Sequence, residues 1–336
     1  MSNTVWKLIE DLDNKEGITE VIINSPDNVF VERSGKFIQL NVKLSKIDIV
    51  LFAEEVAKKN QRVFNDDSPI LDGVLADGSR INIIGEPYSK GSPAITIRKY
   101  LKSITNFESA EGLFGLNDFW ITFFKALVST RLNIIVSGGT GVGKTTFLNL
   151  LLGEIVQSER VVTIEDTIEL SHSITNSVSL ESFDKMPMRN LVKNALRMRP
   201  DRIIVGEVRG PELFDLLQAM NTGHDGSMSS IHASSSGECL SRIENLFMMA
   251  GFDLPIQVVR KQIAHGVDFI IQLGRDRDGK RVVSDIMEIT GMEGANILSH
   301  RIGVREEDEL VLTGISPKVM AKLNRFGGLP MNYFSK

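Results

Sequence analysis

The sequence predicts an α/β fold, in which a domain with a mostly parallel sheet follows a smaller α+β domain. Two observations support this prediction. After residue 119, short apolar segments alternate with helical segments, which is typical of parallel strands joined by crossover helices. Before residue 101, short segments alternate apolar and polar residues between turn sequences, as strands do. A length of 336 residues is sufficient for about two domains.

The N-terminal domain is predicted to span residues 1–101 and to contain one helix among short strands. Ser45 followed by Asp48 resembles a capping box, which would open an amphipathic helix ending near Lys59. The dipeptide Asp77-Gly78 predicts a hairpin turn. The expected strands cover residues 18–23, 29–32, 71–75, 80–84 and 94–98.

Residues 102–118 lack hydrophobic periodicity, so we interpret them as a linker. The second domain, residues 119–336, is expected to begin with a helix and to end with helices and a β-hairpin. Its expected strands cover residues 132–136, 161–164, 202–205 and 227–231, and the hairpin covers 267–273 and 281–289. Its expected helices cover residues 119–129, 144–152, 188–198, 211–220, 238–249 and 255–265.

The composition excludes several classes of protein. A hydrophobic content of 42% with 24% charged residues is that of a folded globular chain. The net charge of −5 gives no basic footprint, so no direct nucleic-acid partner is expected. One cysteine, no signal peptide and no long apolar run indicate a cytoplasmic protein that reaches a membrane only through partners.

The most specific motif is a phosphate-binding loop, Gly138 to Thr145, which reads G-G-T-G-V-G-K-T. It follows an apolar strand and opens a helical run, so backbone N–H groups and a helix N-terminus would surround a polyphosphate. Lys144 would reach the β- and γ-phosphates, and Thr145 would offer its hydroxyl to Mg²⁺. The predicted ATP-binding residues here are Gly138, Gly139, Thr140, Gly141, Val142, Gly143, Lys144, Thr145 and Thr146.

Two further strands end in carboxylates that suit magnesium chemistry. The strand from Val161 ends in Glu165 and Asp166, although a solvated strand end would look the same. The strand from Arg202 is followed by Gly206-Glu207, a Walker-B-like arrangement in which Glu207 would polarise the attacking water. Glu165, Glu207 and Thr145 are therefore the expected magnesium ligands, in part through water.

Two histidines, His224 and His232, bracket a Gly- and Ser-rich strand. They could hydrogen-bond a γ-phosphate or respond to its loss, with His232 as a catalytic candidate. A structural role is the alternative for each. A zinc site with Cys239 is disfavoured because the spacing matches no known zinc pattern.

The order of these motifs resembles the secretion ATPase superfamily, which powers type II and type IV secretion and type IV pili. Its Walker A, Asp box, Walker B and His box correspond to the four segments above. Within it, three stretches resemble the Tad pilus ATPases of the CpaF/TadA type. They are residues 196–202, residues 251–255, and residues 278–281 leading to 291–294.

The resemblance implies roles that the residues alone do not. It implies that Arg80 and Arg98 of the N-terminal domain contact the nucleotide, and that Arg209, Arg197 or Arg199 acts across a subunit boundary. It also implies a hexameric ring that works on an inner-membrane platform protein. Two departures are the absence of a helical region before the first strands and Ser234 in place of the usual Asn in the His box.

The combined prediction is a RecA-like P-loop motor domain preceded by a small α+β N-terminal domain. It would hydrolyse ATP with Mg²⁺ to drive Tad or type IV-like pilus assembly. A type IV secretion ATPase moving effectors or DNA is the closest alternative, because its chemistry would be the same. A DNA-dependent motor and an ATP sensor without turnover are alternatives of other classes, and a GTPase is disfavoured because no base-reading motif follows the loop.

Overall fold

The chain is described by a computed structural model that covers residues 4–13, 15, 17–33, 36–99, 105–108, 112–183 and 185–335. It divides into two compact units, Met1–Lys102 and Ser103–Lys336. The predicted linker falls in part on residues 102–104 and 109–111, which lie outside the described residues.

The first unit is an antiparallel sheet with two helices. Its elements are α1 (Thr4–Asp13), β1 (Ile18–Ser25), β2 (Asn28–Arg33), β3 (Lys36–Leu40), α2 (Lys46–Lys59), β4 (Ile70–Val74), β5 (Arg80–Ile84) and β6 (Ala94–Arg98). The described strands are ordered β3-β2-β1-β6-β5-β4. Ser45 caps α2 as predicted, because its Oγ accepts the N–H of Asp48 at 3.0 Å.

Helix α1 contradicts the expectation that no helix precedes the first strands. It is a ten-residue helix directly before β1. Val5, Ile9 and Leu12 are buried in the core that also holds Phe52 of α2. Their spacing of four and three residues is the ordinary signature of one helix face, so the signal was present in the sequence.

The second unit is a mixed sheet covered by helices. Its first elements are α3 (Asp118–Ser129), β7 (Ile134–Gly138), α4 (Lys144–Gly153), β8 (Val161–Glu165), β9 (Ser177–Glu181), α5 (Met188–Ala195), β10 (Arg202–Val205) and α6 (Glu212–Asn221). The remaining elements are β11 (Met228–Ile231), α7 (Ser236–Met248), α8 (Ile256–Gly266), β12 (Phe269–Arg275), β13 (Arg281–Glu293), β14 (Asn296–Glu306), β15 (Glu309–Leu312) and α9 (Met320–Gly327).

The strand order of this sheet, among the described residues, is β15-β14-β13-β12-β7-β11-β10-β8-β9. Strands β12, β7, β11, β10, β8 and β9 pair in parallel, whereas β12 to β15 form an antiparallel extension. The predicted hairpin is thus the first part of a longer meander. The carboxyl ends of β7, β8, β10 and β11 meet at one edge, because parallel strands run in the same direction.

Successive side chains of the central strand β7 pack into two hydrophobic clusters, one on each face of the sheet. Ile134 and Val136 of β7 lie in one hydrophobic cluster, whereas Ile135 lies in the other. Successive strand side chains point to opposite faces, so a continuous apolar run indicates a strand buried on both sides. This burial holds the end of β7 and the loop that follows it in a rigid setting.

Candidate functional site

The phosphate loop joins β7 to α4 and has the conformation that its glycines allow. Gly143, the residue before α4, has a φ of 96°, a left-handed conformation that glycine adopts without strain. A Cβ atom at this position would lie 3.1 Å from the ring of Phe114 and 3.1 Å from Cδ of Arg281. Conformation and packing therefore both require glycine here.

Lys144 is the first residue of α4 and is 7% exposed. Its Nζ donates to the carbonyl oxygens of Gly138 at 3.1 Å and Gly139 at 3.0 Å, so the side chain folds back over the loop. The same Nζ lies 3.3 Å from both ring nitrogens of His232. The ammonium group is thus held at the mouth of the loop, where a phosphate would bind.

The hydroxyl of Thr145 donates to Oε2 of Glu169 at 3.1 Å. Glu169 lies in the segment after β8 but was not singled out from the sequence. The signal was there, since the segment ends in a carboxylate four residues after Glu165. Only the folded chain shows that the carboxylate of Glu169 reaches the threonine.

Glu165 supports this arrangement through the backbone of the same segment. It is 4% exposed, and its carboxylate accepts the N–H groups of Glu169 and Leu170, each at 3.0 Å. A Cβ atom on Gly206 would come within 2.8 Å of Glu165 Cγ, so a glycine at the end of β10 makes room for this side chain. Glu165 therefore positions the segment carrying Glu169, and its role as a magnesium ligand stays a prediction.

Glu207 follows β10 at the same edge of the sheet. Arg209 Nε donates to its Oε1 at 2.8 Å, and Nε2 of His232 lies 3.1 Å from the same oxygen. Burial acts to raise the pKa of Glu207, but the hydrogen bonds and charge of Arg209, together with His232 and Lys144, outweigh it and lower the pKa. Glu207 is therefore ionised at neutral pH.

His232 connects Lys144 to Glu207. Burial lowers the pKa of His232, and the charges of Lys144 and Arg209 lower it further against the opposing effect of Glu207. A neutral ring can accept from Lys144 at one nitrogen and donate to Glu207 from Nε2. The structure therefore brings Lys144, Glu207 and His232 together, and their catalytic roles stay predictions.

Arg209 also reaches the segment after β8, since its Nη1 lies 3.4 Å from Oδ2 of Asp166. The positive charge of Arg209 is paired with Glu207 within the same chain. Contact between Arg209 and a phosphate stays a prediction. A role across a subunit boundary stays a prediction for Arg209, Arg197 and Arg199.

The prediction for His224 needs correction. Gly226 and Ser227, just before β11, donate their N–H groups to Oδ1 of Asn133, which precedes β7. His224 therefore lies at the amino ends of the strands, whereas the phosphate loop lies at their carboxyl ends. The four residues of β11 separate these edges by about 13 Å, so His224 does not belong to the nucleotide site of its own chain.

Arg80 and Arg98 belong to the first unit. They are direct cross-strand partners on β5 and β6. Neighbouring Lys99 pairs with Asp77 at 3.4 Å, and burial lowers its pKa. Both arginines therefore lie on the same face of this sheet, and their contact with nucleotide stays a prediction.

The residues at the loop fit a magnesium-bound triphosphate. Among the described residues, no cluster of three or more His, Cys, Asp or Glu could hold a metal by itself. Magnesium does not need one, because it commonly keeps several waters and binds through few protein groups and substrate phosphates. Thr145 at the end of the loop and Glu169 in the segment after β8 supply oxygen atoms that lie 3.1 Å apart.

Comparison with known proteins places this geometry in a family. The model of the type II/IV secretion system protein family matches residues 4–301. The conjugal transfer protein TrbB of Rhizobium radiobacter is 32% identical over 298 residues, which cover 88% of this chain and 90% of TrbB. The type IV secretion system protein VirB11 of Bartonella quintana is 30% identical over 320 residues, which cover 81% and 88% of the two chains.

The fold has a counterpart among solved structures. The pilus retraction motor PilT, solved with bound ADP, superposes with a TM-score of 0.62 over 98% of this chain and 91% of PilT, at 20% identity. The predicted α/β fold, a RecA-like domain preceded by a small α+β domain, is confirmed. Within the described part of the chain, no helix is both long and apolar enough to cross a bilayer. The family match and these sequence relatives show that the chain belongs to the type II/IV secretion system protein family.

Proposed function

We propose that this protein is a motor ATPase that binds ATP with Mg²⁺ at its phosphate loop and hydrolyses it to ADP and phosphate. The observation that carries the proposal is the link from Lys144 through His232 to Glu207, across three strand ends of one sheet edge. A cation that neutralises phosphate charge and an ionised carboxylate that can orient water are two of the parts on which phosphoryl transfer to water depends.

Each side chain has a distinct task in this mechanism. The N-terminus of α4 and Lys144 bind and neutralise the phosphates. Glu207 has a lowered pKa, so it is a weak base that orients and polarises the attacking water through its carboxylate oxygens. His232 contacts both Lys144 and Glu207, so it is suited to respond when a γ-phosphate draws Lys144 toward itself. Magnesium, when bound, neutralises charge on the phosphate oxygens.

The transport system that the motor would serve is inferred from the named relatives, because the chemistry of the site would be the same in each system. Because TrbB and VirB11 are named as conjugal transfer and type IV secretion proteins, we favour transport through a type IV secretion system over pilus assembly. The Tad pilus remains the second candidate, supported by residues 196–202, 251–255 and 278–281. In either case we propose a hexameric ring in the cytoplasm that works on an inner-membrane platform protein.

Phosphate release from ATP by the purified protein tests the proposal. We expect Mg²⁺-dependent hydrolysis, strongly reduced binding in K144A, and about a 100-fold lower rate in E207Q with binding retained. E293Q is a matched control, because Glu293 is an exposed carboxylate on β13. An E207Q protein as active as wild type would remove Glu207 from the mechanism. Stimulation of the wild-type rate by DNA would instead favour a DNA-dependent motor.

A further inference from the structure

The hairpin formed by β12 and β13 lies along the phosphate loop. Leu273 of β12 pairs with Gly138, and its carbonyl oxygen would lie 3.0 Å from a Cβ on that glycine. At the other end of the loop, Arg281 of β13 packs 3.1 Å from the Cβ position of Gly143. The hairpin therefore backs the loop from its first glycine to its last.

Arg275, the last residue of β12, joins the phosphate loop to the hairpin turn by hydrogen bonds. Its Nη2 donates to the carbonyl oxygen of Gly141 in the loop at 2.9 Å. Its Nη1 donates to the carbonyl oxygen of Gly279 in the hairpin turn at 2.7 Å. The planar guanidinium has donors in a rigid fork, so one side chain spans both carbonyls.

The contact at Gly141 has a geometrical consequence for phosphate binding. A trans peptide holds its C=O and N–H on opposite sides, so a carbonyl of Gly141 that faces Arg275 turns the N–H of Val142 away from it. Gly141 has a φ of 73°, and glycine samples many backbone conformations. An external hydrogen bond selects one of them before any ligand arrives.

We propose that Arg275 is a positioning residue that pre-organises the phosphate loop, an inference that rests on the proposed nucleotide-binding function. It holds the Gly141–Val142 peptide in the orientation that presents an N–H to the phosphates. It also ties the loop to the turn of the β12–β13 hairpin. The always-charged guanidinium adds a positive charge close to the loop.

Direct ADP binding and steady-state kinetics test the inference, with Arg277 as a matched control. Arg277 lies in the same turn, and within the described part of the chain its side chain has no hydrogen bond or ion pair. We expect R275Q to weaken ADP binding about tenfold and to raise KM similarly, with kcat within about twofold of wild type. R275K should weaken binding about threefold, because an ammonium cannot span both carbonyls. R277Q should bind as wild type does, and all variants should remain folded without nucleotide, with melting temperatures within about 4 °C of wild type.

Each other outcome overturns the inference. Wild-type affinity in R275Q removes the positioning role, and equal weakening in R275Q and R277Q shows a general effect of charge. If R275Q does not fold, a folded R275K with wild-type affinity removes the positioning role in the same way. If the wild-type protein binds neither ADP nor ATP, the proposed function is overturned as well. If the wild-type protein binds ADP and R275Q binds it with the same affinity, only this inference is overturned.

Discussion

Gly206 is the position where one added methyl group should most clearly separate catalysis from binding. In G206A the new Cβ would lie 2.8 Å from Cγ of Glu165. Carbon atoms in contact are normally about 3.5–4.0 Å apart, so one of the two segments must move by about 1 Å. Gly206 directly precedes Glu207, and Glu165 holds the segment that carries Glu169. This movement would therefore displace the carboxylates of Glu207 and Glu169.

The expected changes in stability, hydrolysis rate and ADP affinity differ in size. Overpacking of this kind costs about 1–3 kcal/mol of stability. A displacement of about 1 Å near the reacting groups lowers the rate by about 100-fold. The hydrogen bonds from Glu169 and Leu170 to Glu165, both 3.0 Å long, would lengthen or break. The three atoms nearest to the added Cβ all belong to Glu165 and none to the phosphate loop, so ADP affinity should stay within about threefold of wild type.

Phosphate release, ADP titration and thermal melting are measured together on G206A. G237A is the control, because a Cβ at Gly237 in the first turn of α7 meets no atom within 4 Å. Alanine should be neutral or slightly stabilising in that helix. The reasoning is refuted if G206A hydrolyses ATP at the wild-type rate with an unchanged melting temperature.

Three further predictions concern stability, reactivity and the loop. Burial raises the pKa of Asp268 to about 6, so the folded state holds this proton more tightly than the unfolded chain and stability falls as pH rises from about 4 to about 6. D268N should not lose stability in this way. Its free energy of unfolding in urea should exceed that of wild type by about 2–3 kcal/mol at pH 8 and should not exceed it near pH 4. A difference that is the same at both pH values would contradict this prediction. Burial raises the pKa of Cys239 to about 12, so at pH 8 a thiol reagent should label it only after unfolding, and rapid labelling of the native protein would show that the thiol is accessible. G143A should weaken ADP binding by at least about tenfold in calorimetric titration, because alanine is strained at a φ of 96° and crowds Phe114 and Arg281; unchanged affinity would contradict the geometry of the loop.

Much of the central fold was predictable because its signals are local. The apolar runs of β7, β8 and β10 are buried on both faces, so burial and sequence pattern agree. The caps and turns are equally local, as the hydrogen bond from Asp48 to Ser45 shows. Such elements depend on residues a few positions apart, which the sequence displays directly.

Other elements were missed because their stability comes from distant partners. β14 alternates poorly and is exposed along much of its length, so it is a strand because it pairs with β13 and β15. β9 is also mixed in composition and lies at the parallel edge of the sheet beside β8. α9 packs against α3, almost two hundred residues earlier, and no local pattern announced that contact.

The spacing of Gly138, Gly143, Lys144 and Thr145, between an apolar strand and a helical run, was enough to predict a phosphate-binding loop. Tertiary structure decided which other side chains lie beside that loop. Two histidines eight positions apart looked equivalent in the sequence, yet β11 places them at opposite edges of the sheet, and only His232 meets Lys144 and Glu207. The two ends of a strand are separated by the length of that strand. Residues from different strands come together only where parallel pairing places the same end of each strand at a common edge of the sheet.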